Sequence, residues 1–85
     1  MTLGERLRSV RESRSLNLTE AAAKLGVART AYRLWELGAA APAPEHWKDV
    51  ALWCQVPLPT ILRELGHIDE DEERALLALE VAARS

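Results

Sequence analysis

Between Asn17 and Gly38 the chain is punctuated so closely that little but two short helices and a tight corner fits. Asn17 is followed three residues later by Glu20. At that spacing the Asn side chain accepts from the third backbone N–H of a helix, while the Glu carboxylate reaches back to the cap. A helix therefore starts at Leu18. It is short, because Gly26 follows Leu25 and supplies the positive φ that closes a helix without a Cβ penalty. The spacing of Val27, Tyr32 and Trp35 predicts another helix over Arg29 to Leu37, with those three facing inward and Gly38 as its stop. Ala22 is small enough for a steep helix crossing, and Gly26 turns the chain between the two.

The flanking segments are helical as well. Leu3, Leu7 and Val10 recur at helical spacing and predict a first helix from Leu3 to Ser13, ended at Ser15. Beyond the loop Ala39–Pro42, Pro44 suits the first turn of a fourth helix, with Trp47, Val50, Ala51 and Cys54 inward and Pro57 as its end. Pro59 opens a fifth through Leu65, stopped by Gly66, with Leu58, Ile61, Leu62 and Leu65 as its buried set. After an acidic stretch, Asp69 to Glu73, a sixth is expected over Arg74 to Ala83, the acids favouring its dipole. No strand-like alternation and no internal repeat interrupts this pattern. The class is all-α. At 85 residues the chain holds one modest core, divided here as 1–66 and an acidic linker with a C-terminal helix, 67–85.

Charge and composition exclude more than they assign. A net charge of −2 argues against a nucleic-acid partner, since Lys and Arg normally supply most of that affinity. The average hides an asymmetry, however: residues 1–33 carry seven basic against three acidic groups, and the remainder four against ten. That polarity suits one end facing a phosphate backbone, or simply a solvated surface. The single Cys54 forms no internal disulfide, and His46 and His67 stand alone, so neither a metal nor another cofactor is expected. Absence of a leader or of a long apolar run leads us to expect a cytoplasmic protein with no membrane partner. No nucleophile–base arrangement or GxxxxGK loop suggests an enzyme.

The string LNLTEAAAKLGVARTAYRLWELG, a Pro four residues after Gly38, and then PEHWKDVALWCQVPLPTIL, resembles the XRE or Cro-like family. The match runs from Leu3 to Leu65 without a gap. The resemblance implies a five-helix, lambda-repressor-like helix-turn-helix domain, here with an additional C-terminal helix. It further implies a sequence-specific regulator of double-stranded DNA, of the repressor type and usually dimeric, whose third helix enters the major groove. By the same resemblance Arg29, Thr30 and Arg33 fall where base edges are read, with Thr19 and Lys24 of the preceding helix as further DNA contacts. Arg suits that task because its fork bonds two acceptors of a guanine at once. Arg11 and Glu36 fall where the family often has an ion pair joining the first and third helices.

Several positions depart from the family pattern. Leu18 stands where a Gln is common, Ala28 where a Ser often caps the third helix, and Leu34, Leu37 and Ala39–Ala41 where basic residues are frequent. Fewer phosphate anchors make a second copy necessary for firm binding. Alternatively Leu18, Leu34, Leu37 and the Ala loop form an apolar face for a protein partner, an adaptor that keeps the fold. Tyr32, where an aliphatic residue is usual, and Ala21, where a larger one is, suggest an exchange of volume in the core. In the fourth helix Leu52 and Trp53 lie off the inward stripe. They are candidates, with Leu76 and Leu79, for a homodimer interface, or else are covered by the sixth helix folding back.

Overall fold

Six helices follow one another in the computed structural model, which describes residues 1–84: α1 Leu3–Ser13, α2 Leu18–Leu25, α3 Arg29–Leu37, α4 Pro44–Cys54, α5 Leu58–Glu64 and α6 Glu70–Arg84. Each end has a local cause. Thr2 caps α1, its hydroxyl accepting from the Glu5 N–H at 3.2 Å. Asn17 and Glu20 form the reciprocal cap of α2, at 2.8 and 3.0 Å. Gly26 and Gly38 close α2 and α3 in the left-handed region, φ 69° and 74°. Two non-glycine residues take the same conformation, Ser15 after α1 and Gln55 after α4.

The core sits where α1, α2 and α3 meet the inner edge of α4. Leu7, Ala21, Tyr32, Val50 and Ile61 are wholly buried, with Leu3, Ala22, Leu25, Trp35, Ala51 and Cys54 around them. Tyr32 stands edge-on to Trp35 and Trp53, ring centroids 6.3 and 6.1 Å away, an arrangement favoured by the ring quadrupoles. Its hydroxyl donates to the Leu7 carbonyl at 3.4 Å, so the polar tip is satisfied. A buried Tyr32 in one cluster with a buried Ala21 is what a large-for-small exchange requires.

α1 and α3 approach unusually closely. A β-carbon on Gly4 would stand 2.5 Å from the Glu36 carbonyl oxygen and 2.9 Å from that of Trp35. These are backbone atoms, which cannot swing aside as a side chain would. Further along, Arg11 grips Glu36 through two nitrogens at 2.7 and 3.0 Å and also donates to the Leu16 carbonyl. One side chain thereby joins α1, the α1–α2 turn and the end of α3.

The C-terminal half is held by a second set of charges. Arg6 of α1 is bidentate to Glu64 of α5, whose side chain has no exposure at all. Arg63 bonds Glu73 of α6 at 2.6 Å. α6 itself begins earlier than its apolar pattern suggests. Asp69 accepts from the Glu72 N–H at 2.8 Å and Glu72 accepts from the Asp69 N–H at 3.2 Å, so Asp69 caps a helix whose first turn is Glu70–Glu73. The acidic stretch is therefore helix and not linker; Ser85, at the end of the expected second segment, lies outside the described residues. α6 docks on α5 and does not fold back over α4, which leaves Leu52 exposed. Leu58, expected inside, is 37% exposed: it is the first residue of α5, and Pro59, Thr60 and Ile61 are the residues of that turn that enter the core.

The tight contact at Gly4 makes a direct prediction. Gly4→Ala must push α1 from α3, costing about 1–3 kcal/mol by overpacking despite the better helix propensity of Ala. At about 4–8 °C per kcal/mol for a domain of this size, thermal unfolding followed by circular dichroism should show a clearly lowered midpoint. An unchanged or raised midpoint would refute the close approach.

Candidate nucleic-acid interface

The corner between α2 and α3 presents one side to solvent. Thr19 and Lys24 of α2 and Arg29, Thr30 and Arg33 of α3 are all exposed, as is Ala28 between the helices. The reason is the inward stripe: with Val27, Tyr32 and Trp35 committed to the core, the helical period turns residues 29, 30 and 33 outward. Arg29 and Arg33 are one turn apart on the same face. Ala28 offers no side-chain cap and the first turn of α3 holds no acid, so its free N–H groups and partial positive charge are uncompensated.

The basic N-terminal half does not amount to a basic face. Arg6 is paired with Glu64, Arg8 with Glu12 and Arg11 with Glu36. Arg14 donates to the Trp53 carbonyl and lies 5.0 Å over its ring. Arg63 and Arg74 likewise have carboxylate partners. Among the described side chains, Arg29 and Arg33 are the two arginines without an ion pair, hydrogen bond or ring partner. Lys24 is also unpaired.

The one acid of α3 is turned away from this face. Glu36 is only 7% exposed at its side chain and points to Arg11. Burial pushes its carboxyl upward, but the hydrogen bonds from Arg11, helped by the nearby Tyr32 hydroxyl, outweigh burial and hold it below the usual carboxylate range. Glu36 in turn raises the Arg11 guanidinium. Burial pushes the Cys54 thiol up to about 11, which makes it an inert core residue.

The expected apolar patch is not formed as one surface. Leu18 packs against the core cluster and Leu34 is half-buried, so of the three leucines only Leu37, 62% exposed, faces solvent fully. Leu37 and Ala39–Ala41 line a groove of about 660 Å³ whose other wall is Thr2–Glu5. Trp53, placed by its sequence position at an interface, is half-buried against Tyr32 and under Arg14, so it belongs to the chain's own core. Leu52, Leu76 and Leu79 remain exposed at 66, 37 and 65%. Sequence reasoning missed Gly4, Arg6 and Glu64 as the pieces that fix α1 and α5 relative to α3. No local signal marks a pair 58 residues apart.

His46 lies beside the Trp35 ring and His67 beside that of Trp47, and no group of three or more His, Cys, Asp or Glu among the described residues is placed to hold a metal ion. No helix among them is long and apolar enough to cross a membrane. Comparison with known proteins agrees with the geometry: a model of the helix-turn-helix family matches residues 7–61, well over half of the chain. No curated protein matches it. The chain belongs to the helix-turn-helix family of XRE/Cro-like type, a family of DNA-binding regulatory domains.

The Arg11–Glu36 pair that orients α3 has a pH signature. The Glu36 carboxyl is lower in the fold than in the unfolded chain, where it titrates near about 4.3. Its stabilisation is thus complete above that value and is lost as pH falls through the folded one. Glu36→Gln should lower stability by on the order of 3 kcal/mol at neutral pH, since Arg11 is left poorly paired. It should also flatten the decline in midpoint between about pH 5 and 3 relative to the parent. An equally steep decline in the variant would show that Glu36 is not the linked group.

Proposed function

We propose that the chain is a sequence-specific regulator of double-stranded DNA that inserts α3 into the major groove and acts as a homodimer. The observation that supports this most is the pair of unpartnered arginines on α3, in a chain that pairs its other described arginines internally. Charges left free on a folded surface are available to phosphates and base edges. Thr30 and Thr19 supply short hydroxyl donors beside them, and Lys24 a point charge for the backbone. The free N–H groups at the start of α3 add an anion-seeking end.

With so few free cations, one protomer binds weakly. An apolar trough on the far side fits a second copy. Leu58 and Glu80 are shared by two adjoining grooves, one lined by Leu62, Leu76 and Leu79 and the other by Leu52 and Lys48. Across a two-fold axis the same patch would meet itself, covering the leucines, with Lys48 and Glu80 as opposite charges in the same groove. A second reading, an adaptor for another protein, draws only on Leu37 and its groove.

Titration of labelled duplex at several salt concentrations tests the first half. Two or three phosphate contacts per protomer, four to six in the dimer, give a log–log slope of about −4 to −5, so affinity falls about 150-fold to 2,000-fold between 50 and 200 mM salt. Arg33→Ala should cost about 1–3 kcal/mol on the preferred sequence. No measurable duplex binding at 50 mM salt would shift the reading to the adaptor. For the dimer, Leu79→Glu should leave the helical signal unchanged while sedimentation shows a monomer and duplex affinity drops. A parent chain that sediments as a monomer at high micromolar concentration would remove the homodimer from the proposal.

A further inference from the structure

We infer that each copy of α3 recognises its half-site through two guanines lying within three consecutive base pairs, one taken by Arg29 and the other by Arg33, with no side chain placed to read adenine in the two-bonded way. The inference rests on the proposal that α3 enters the major groove. Base edges in that groove are told apart by few side chains: Arg or Lys on the two acceptors of guanine, Asn or Gln on the donor–acceptor pair of adenine, and Asp or Glu on the amino group of cytosine.

The last two classes are committed elsewhere. Asn17, the only Asn in the sequence, spends its carbonyl oxygen on the Glu20 N–H at the start of α2. Gln55, the only Gln, stands after α4 and lines the trough near Leu58. Glu36 is the sole acid of α3 and is drawn inward to Arg11. Glu20 accepts from the Asn17 N–H. What remains exposed on α3 is Arg29, Thr30, Arg33 and Leu37, of which only the two arginines carry a fork of donors.

Spacing then sets the separation. Four residues of helix advance about 6 Å, at about 1.5 Å each. Successive base pairs are about 3.4 Å apart along a strand, so two forks one helical turn apart reach fewer than two base steps. Arg29 lies in the first turn and Arg33 in the second, both on the face that the core leaves free. Thr30, beside Arg29, offers a methyl group and a hydroxyl, which discriminate weakly.

Selection from random duplexes by the intact chain, at 50 and 150 mM salt, tests this. The expected motif contains, in each half-site, two G·C pairs that lie within three consecutive base pairs. Arg29→Ala should relax the preference at one of them and Arg33→Ala at the other, each with a loss of about 5- to 150-fold on the selected sequence. Arg33→Lys keeps the charge but not the planar fork, so it should retain non-specific binding and keep a weaker guanine preference at its position than Arg33 gives. Replacing those guanines by 7-deazaguanine, which lacks the major-groove N7 acceptor, should weaken binding; inosine, altered only in the minor groove, should not. An enriched motif without such a pair, or alanine variants that weaken all sequences equally, would overturn the inference while leaving DNA recognition in place. Absence of any enrichment together with no duplex affinity at the lower salt would overturn the proposed function and the inference with it.

Discussion

The outward face of α3 depends on how its inner edge is clamped to α1. Three contacts make the clamp. Gly4 lets the two backbones meet at one end, Leu7 receives the Tyr32 hydroxyl in the middle, and Arg11 holds Glu36 further along. Loosening any of them rotates or lifts α3 as a unit, because its own ends are set only by Gly26 and Gly38 and its N-terminus has no side-chain cap. A nine-residue helix is too short to be stable alone in water, so its geometry is tertiary in origin.

Charge in this chain is divided between scaffold and surface. Arg6, Arg11 and Arg63 bond carboxylates that are largely buried, and removing one partner of such a pair costs stability because it leaves a buried charge uncompensated. The Arg6–Glu64 and Arg63–Glu73 pairs run from α1 through α5 to α6, which places the C-terminal helix in register with the domain. Glu73 is held below the usual carboxylate range by the Thr60 hydroxyl and by Arg63, so α6 is docked through an ionised side chain. After these commitments the free positive charge is small and concentrated at the α2–α3 corner. Net charge, or its division between halves of the sequence, therefore says little about a binding face when most charges bond one another.

Apolar surface is divided in the same way. Tyr32, Trp35 and Trp53 fill the space between α1, α3 and α4, while Leu52, Leu58, Leu76 and Leu79 are left in solvent on α4, α5 and α6. With a radius of gyration of 13.3 Å against about 12 Å expected for a compact chain of this length, the molecule is elongated, and its C-terminal helix packs mainly on α5. Such a helix gains little from its own fold and more from a second surface.

Local chemistry was legible residue by residue. The Asn17–Glu20 cap, the glycines at 26 and 38, the prolines at 44 and 59 and the inward spacing of Tyr32 and Trp35 each act within one or two turns, so the sequence by itself determined five of the helices and the outward position of Arg29 and Arg33. It also determined the all-helical class and the family. The start of α6 was misjudged because an acidic run reads as solvated chain until Asp69 and Glu72 are seen to cap each other. Only the tertiary structure decided which arginines are free, that Trp53 belongs to the core while Leu52 does not, and that Gly4 is a point of contact between backbones. Those facts concern partners as many as 58 residues away, and such distances are fixed by how helices pack, which helical periodicity does not encode.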